Sequence, residues 1–247
     1  MANTTNPYTD FMDPDFPLLA RLRESAPGTY KHSQNVMNIC EAIATELDLN
    51  KDLLRVASLF HDVGKTFNPE GFIENQNEYN PHDELPPETS YEIITRHVSD
   101  SCLLLAQYGF PVEVIQTIST HHGNSVVLFF WKKSGDDDGT KDQFRYKSSI
   151  PQDVESSVLM ICDRVEAQAK SWYNAGKMSN AEAREQVIED AINDLIDDDQ
   201  IDNLKIGVLK VVKRVLKIEL QALYHDRVDY DKNSTPSKSK KTETKEK

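Results

Sequence analysis

Residues 58–65 read Ser-Leu-Phe-His-Asp-Val-Gly-Lys, and the His61-Asp62 pair inside this stretch decides how the rest of the chain is interpreted. Apolar residues recur at helical spacing before the pair, so the sequence predicts a helix over 52–63 with Gly64 at its C-terminus. Neighbours on a regular helix diverge by about 100°, but at a helix end the backbone can turn both side chains toward one site. An imidazole and a carboxylate placed together in this way indicate a metal site.

The chain contains seven histidines, and five of them fall at inward-facing helical positions or helix ends: His32, His61, His97, His121 and His122. A buried imidazole needs partners for two ring nitrogens, and an apolar core does not easily supply them five times. Metal coordination supplies them together, and imidazole with carboxylate ligands suits Fe, Mn, Co, Ni or Zn. Asp62 is well placed to bridge two ions with its two oxygens.

The composition is that of a globular domain with an acidic surface. The chain has 247 residues and a formal net charge of −13. Such a charge repels nucleic-acid backbones, so we expect no binding to DNA. The same charge would repel a phosphate substrate unless bound divalent metals invert the local field.

The sequence predicts a cytoplasmic protein. Its three cysteines form no C-x-x-C pair and lie in apolar-periodic stretches, which favours buried free thiols in a reducing compartment. The N-terminus has no signal-peptide pattern, and no run approaches the length of apolar sequence that a membrane span needs.

Three segments are predicted along the chain: an extended arm over 1–15, a folded domain over 16–230 and a disordered Lys/Ser/Thr-rich tail over 231–247. The periodicity of the folded domain predicts an all-α helical bundle with one short β-hairpin formed by 126–131 and 144–146. Further helices are predicted to begin after Thr29 as an N-cap, at a capping box over 89–92, and near 152, 180 and 203. The last helix carries an apolar stripe, read as core rather than interface and compatible with a homodimer: Leu209, Val212, Leu216, Leu220 and Leu223.

The order of the candidate ligands resembles a known family. It follows the H…HD…H…HH…D pattern of two-metal HD-domain phosphodiesterases: His32, His61-Asp62, His97, His121-His122 and Asp163. The strings APGTYKHS at 26–33, FIENQ at 72–76 and NPHD at 80–83 look like the cytoplasmic HD domain of the seven-transmembrane HD family. The resemblance covers roughly residues 16 to 225. It implies an HD-domain fold and hydrolysis of cyclic di-AMP to the linear dinucleotide pApA, with this nucleotide second messenger as the partner.

The resemblance also implies roles for individual residues. One divalent transition metal, with Fe or Mn favoured, would take His32, His61, Asp62 and Asp163. A second would take Asp62, His97, His121 and His122, and a hydroxide bridging the two ions would attack phosphorus. Lys65 would hold a phosphate oxygen. In the long polar loop over 66–88, Asn75, Asn80 and His82 either bind nucleotide or tie the loop together.

Three local departures from the family pattern leave the ligands intact. Asn124 stands in place of the more usual Thr, Arg164 in place of a small residue, and Lys147-Ser148-Ser149 where a Gly-Pro turn is commoner. Two other functions remain open. One alternative is another HD nucleotide phosphohydrolase. The other is a nucleotide-binding regulator that keeps the site without useful catalysis.

Overall fold

The computed structural model describes residues 6–77, 79–135 and 137–224, and these residues are predominantly helical. The α-helices are α1 Pro17–Ser25, α2 Pro27–Leu47, α3 Lys51–Phe60, α4 Pro87–Gln107, α5 Val112–Ser119, α6 Leu128–Lys133, α7 Val154–Asn174, α8 Ala181–Asp197 and α9 Ile206–Leu223. Short 3-10 helices cover Thr9–Met12, Val63–Phe67, Pro69–Gly71, Ile73–Asn75, Pro81–Asp83 and Asp138–Phe144. The described residues contain no β-strand, so the all-α prediction is confirmed. The predicted tail over 231–247 lies outside the described residues.

Helix α2 runs through the centre of the bundle and packs against α3, α7 and α9. Its apolar residues recur at helical spacing, and Val36, Ile39 and Ile43 are fully buried. Burying a side chain of this kind stabilises the fold by about 1.5–3 kcal/mol. His32 lies on the same face one turn before Val36, so the packing that buries this face also carries an imidazole into the interior.

The last helix contributes its apolar stripe to the core, as predicted. Val212, Leu216 and Leu220 are fully buried, and Leu209 and Leu223 pack against the same core at its edge. The outer face of α9 exposes Ile206 and Ile218. Within the described residues, no helix is both long enough and apolar enough to cross a membrane.

Two predicted helix starts are wrong by three residues. Helix α2 begins at Pro27 rather than after Thr29, and α4 begins at Pro87 rather than at a capping box over 89–92. In both cases proline occupies the first helical turn, where its fixed φ suits the helix and its missing N–H costs no hydrogen bond. The free N–H groups of Gly28 and Thr29 are instead capped by Asn75, whose Oδ1 accepts from them at 2.9 and 3.2 Å.

The predicted β-hairpin is also wrong. Residues Leu128–Lys133 form α6, and the two segments share a single bridge between Val126 and Arg145. A helical turn places the adjacent Phe130 and Trp131 in one aromatic cluster with Tyr91 and Phe144, whereas a strand would point them to opposite faces. Tertiary packing of these rings therefore overrides the local strand propensity.

The N-terminal segment is not extended where it is described. Thr9–Met12 form a 3-10 helix, and Phe11 stacks on Phe110 with 3.9 Å between ring centroids. Phe16 and Phe60 join the same aromatic cluster. Burial of these rings outweighs the polar character of the segment that suggested an arm.

Gly64 lies inside the 3-10 helix Val63–Phe67 rather than at the C-terminus of α3, which ends at Phe60. A Cβ atom at Gly64 would lie 2.2 Å from the His97 carbonyl oxygen and 2.5 Å from the Ser101 nitrogen. The Gly64 N–H donates to Ser101 Oγ at 2.8 Å. Glycine is therefore required because the HD segment lies directly against the backbone of α4.

We predict that Gly64→Ala destabilises the protein by about 1–3 kcal/mol or more, because the added methyl group must displace backbone of α4. Gly207→Ala is the matched control, since a Cβ atom there meets nothing within 4 Å. Urea unfolding followed by circular dichroism measures both. Equal stability of the two variants would contradict the close approach.

Candidate metal centre

Five separate places in the chain bring seven potential ligands into one buried cluster. His32 comes from α2, His61-Asp62 from the end of α3, His97 from α4, His121-His122 from the end of α5 and Asp163 from α7. They form two groups in which the candidate ligand atoms all lie within 4.8 Å of one another: His32, His61, Asp62, Asp163 and Asp62, His97, His121, His122. These are the seven residues that the sequence singled out, in the same two groups, with Asp62 in both.

Backbone carbonyl groups orient three of the imidazoles. Nδ1 of His61, His97 and His121 lies 2.8, 2.6 and 2.6 Å from the carbonyl oxygen three residues earlier in each case. A carbonyl oxygen only accepts hydrogen bonds, so each Nδ1 carries the proton. Nε2 of each ring then points into the cluster and carries the lone pair whenever the ring is neutral, which is the arrangement of a metal-ligating histidine.

Asp62 lies between the two groups of histidines. Its Oδ1 is 3.2 Å from His97 Nε2 and 3.8 Å from His121 Nε2. Its Oδ2 is 3.3 Å from His61 Nε2 and 3.8 Å from His32 Nε2. One carboxylate oxygen thus faces each group, which suits a ligand shared by two cations.

Unpaired polar atoms in the cluster test whether divalent cations fit it. His61 Nε2 and Asp62 Oδ1 are buried without a hydrogen-bond partner among the described residues. His97 Nε2 and His121 Nε2 face each other at 3.3 Å although both nitrogens carry lone pairs. Buried polar atoms without partners are costly, and a cation would satisfy all of these atoms at once. The donor set fits divalent metal ions.

Glu166 is a site residue that was not predicted from the sequence. Its carboxylate accepts a hydrogen bond from His32 Nδ1, while His32 Nε2 lies 2.9 Å from Asp163 Oδ1. Asn35 Nδ2 and the Tyr224 hydroxyl donate to the same carboxylate at 2.7 and 3.2 Å. Glu166 thereby holds the ring of His32 in place. Its position three residues after Asp163, on the same helical face, was the signal available in the sequence.

The pKa values of the histidines differ between the two groups of candidate ligands. Although burial opposes it, Asp163 and Glu166 raise the pKa of His32 to about 9. Burial, with His61 and His97 nearby, lowers the pKa of His121 to about 3. Despite burial, the pKa of Asp62 lies well below its usual range because His61 and Lys65 are adjacent. The carboxylate is therefore held ionised in the interior.

Lys65 contacts Asp62 and the long loop. Its Nζ lies 2.7 Å from Asp62 Oδ2 and 2.9 Å from Glu74 Oε1, and its side chain is largely buried. Glu74 also accepts from Thr29 Oγ1 at 2.9 Å. Lys65 thus links the cluster, the loop and the start of α2, and its predicted contact with a phosphate oxygen stays a prediction.

The other three predicted substrate contacts lie within the loop or at its base. Asn75 caps α2, and its Nδ2 donates to Thr29 Oγ1 at 2.8 Å. Asn80 caps the 3-10 helix Pro81–Asp83, and buried His82 has Nε2 2.8 Å from the Gly71 carbonyl oxygen. Among the two roles left open for these residues, the contacts favour the one that ties the loop together.

Tyr146 covers the cluster on the side of His122, and no sequence pattern predicted it as a site residue. Its ring lies 4.4 Å from that of His122, tilted by 30°, and 6.2 Å from that of His97. Burial raises the pKa of Tyr146, and the charges of Lys65, Asp62 and Asp163 act on its hydroxyl. The phenol is therefore neutral at physiological pH beside the candidate metal centre.

Comparison with known proteins shows the family to which this chain is related. A family model described as HD domain matches residues 29–168. The cyclic-di-AMP phosphodiesterase PgpH of Bacillus subtilis (strain 168) is 36% identical over 226 residues, which are 90% of this chain and 31% of that protein. The chain thus spans about a third of the length of the curated relatives it matches.

Solved structures share the fold. The crystal structure of the L. monocytogenes phosphodiesterase PgpH HD domain matches with a TM-score of 0.80 and 33% identity, over 85% of this chain and 100% of that one. The same domain in complex with cyclic-di-AMP matches with a TM-score of 0.79 and 33% identity, over 87% of this chain and 100% of that one. This chain therefore belongs to the HD domain family.

Proposed function

We propose that this chain is a metal-dependent phosphodiesterase that hydrolyses a cyclic dinucleotide, with cyclic di-AMP as substrate and pApA as product. The observation that carries the proposal is the buried cluster in which one carboxylate, that of Asp62, is shared by two groups of imidazole and carboxylate ligands. The names of the similar proteins support cyclic di-AMP as the substrate.

In this proposal two divalent metal ions, Fe or Mn, occupy the two groups. His32, His61, Asp62 and Asp163 would hold one ion, and Asp62, His97, His121 and His122 the other. Ions at these positions would supply Lewis acidity toward a phosphodiester and the means to ionise water near neutral pH. Mixed imidazole and carboxylate ligation suits Fe and Mn.

The side chains around the cluster have separate tasks. Glu166 keeps Nδ1 of His32 protonated, so that Nε2 is the ligating atom. Lys65 balances the buried negative charge of Asp62, and its ammonium group can contact a phosphate oxygen of substrate bound next to Asp62. Tyr146 packs against the ring of His122, and its hydroxyl can donate a hydrogen bond to bound substrate.

The charge of the whole chain restricts the partners in the proposal. A formal net charge of −13 disfavours DNA, whereas a small anionic nucleotide can be attracted by cations inside the site. A homodimer stays a prediction, and the apolar stripe of α9 that suggested it packs into the core of the chain.

We predict that purified protein binds about two divalent metal ions per chain and that Asp62→Asn loses most of both. The amide lacks the second anionic oxygen that the two groups share. Metal content by mass spectrometry after anaerobic preparation measures the loss. Asp142→Asn is the matched control, because the Asp142 side chain is 89% exposed. Unchanged metal content in Asp62→Asn would contradict the bridging role.

We predict that Glu166→Gln weakens metal binding by roughly 10- to 100-fold, since loss of the charge leaves His32 poorly oriented. Titration of metal-depleted protein with Mn²⁺ measures the change. Glu189→Gln serves as the control, because Glu189 pairs with Lys213 on the partly exposed surface. Equal affinities in the two variants would show that Glu166 only packs in the core.

Turnover with Mn²⁺ and with anaerobic Fe²⁺ tests the reaction itself. We expect the wild type to release pApA from cyclic di-AMP faster than it forms products from cyclic di-GMP or deoxynucleotides. A His61→Ala, Asp62→Ala double mutant should release no pApA. Preference for a deoxynucleotide would identify another HD phosphohydrolase. Tight binding of cyclic di-AMP without product would identify a regulator.

A further inference from the structure

His122 is the candidate ligand with the most solvent-exposed side chain, so the cluster is open to solvent on the side of His122. Its side chain is 25% exposed, compared with 9% for Asp163 and 6% or less for His32, His61 and Asp62. The side chains of His97 and His121 are also covered. A substrate therefore has to approach the proposed metals from the side of His122.

Two cavities in the described part of the chain have His122 in their walls. The first, the α8 cavity, holds about 210 Å³ between the 125–128 segment, α7 and α8. The second, the α4 cavity, holds about 560 Å³ between α4 and the 146–148 segment. A nucleotide-sized ligand needs a cavity of about 300–1,000 Å³, so the α4 cavity has the required size and the α8 cavity does not.

The charges of the α8 cavity also disfavour a phosphate. Asp194, Asp197 and Asp198 line it together with Lys141 and Arg164. Arg164 Nη2 is already engaged by Asp194 Oδ2 at 2.7 Å. A second phosphate group placed there would face more carboxylates than cations.

The α4 cavity has the opposite balance. Arg96 and Lys147 line it with Glu92 as the one carboxylate in its wall, and the hydroxyl groups of Thr95 and Ser148 add hydrogen-bonding capacity. Arg96 is paired with Asp100, 3.3 Å away, whereas Lys147 is exposed and directly follows Tyr146. Lys147 is thus the cation next to the ring that covers His122.

We propose that the α4 cavity receives the second nucleotide of the cyclic dinucleotide and that Lys147 is a specificity-determining residue that neutralises its phosphate. This rests on the proposed function, since it assumes that the first phosphodiester is bound at the cluster. A cyclic dinucleotide carries two phosphates, and only one of them can be at the reacting position. The other needs a cation of its own in a chain whose net charge is −13.

Steady-state kinetics of the metal-loaded full chain test the proposal. Lys147→Ala should raise KM for cyclic di-AMP by roughly five- to twentyfold. This range lies between the loss of affinity expected when an exposed ion pair is removed and that expected when a buried hydrogen bond to a charged group is removed. The rise should be much smaller for bis(p-nitrophenyl) phosphate, which has a single phosphate. Lys147→Arg should restore KM, and added salt should raise the wild-type KM more than that of Lys147→Ala.

Lys141→Ala is the matched control, because Lys141 lines the α8 cavity instead. An equal change in KM for both substrates in Lys147→Ala, or a larger rise for cyclic di-AMP in Lys141→Ala, would overturn the proposal.

Equilibrium binding separates this proposal from the proposed function. If the chain turns over neither substrate, the proposed function fails, and the dissociation constants of cyclic di-AMP and AMP are measured by calorimetry instead. Weaker binding of cyclic di-AMP, but not of AMP, in Lys147→Ala supports the role of Lys147. Equal binding in wild type and Lys147→Ala, or no binding of cyclic di-AMP by the wild type, overturns it.

Discussion

The buried carboxylate of Asp62 is the constraint on which the rest of the site depends. An ionised carboxylate removed from water costs several kcal/mol unless charges and hydrogen-bond donors compensate it. Four imidazoles approach its two oxygens within 3.8 Å, and Lys65 lies 2.7 Å from one of them. The helices that carry these side chains must therefore all pack together around the carboxylate of Asp62.

Helix ends make this convergence possible. His61-Asp62 and His121-His122 both follow the last helical residue of their elements, where consecutive side chains are no longer forced onto different faces. The carbonyl groups near the same helix ends accept from the Nδ1 atoms of His61 and His121, so one feature orients the rings and satisfies the backbone. Gly64 then allows the segment after Asp62 to lie against α4, which supplies His97.

The long loop is part of this construction. Glu74 pairs with Lys65, and Asn75 caps α2, so the loop joins the charge of Asp62 to the helix that carries His32. A Cβ atom at Gly28 would lie 1.8 Å from the Glu74 carbonyl oxygen, which shows how closely the loop approaches that helix. The polar residues of the loop thus stabilise the scaffold beside the cluster, and the side of the cluster near His122 and Tyr146 is left for a ligand.

The sequence by itself determined the helical class, the core faces of α2 and α9 and the five candidate histidines, because helical periodicity and the rarity of buried histidine are local signals. Asp163 was identified only through the resemblance to the HD family. Only the tertiary structure decided that α2 is capped by Asn75, that Phe130 and Trp131 form a helix and that Glu166 orients His32. Each of these depends on a partner distant in sequence: 46 residues separate Thr29 from Asn75 and 134 separate His32 from Glu166. Local patterns carry no information about such pairs, since the energy that selects them arises only when the helices pack.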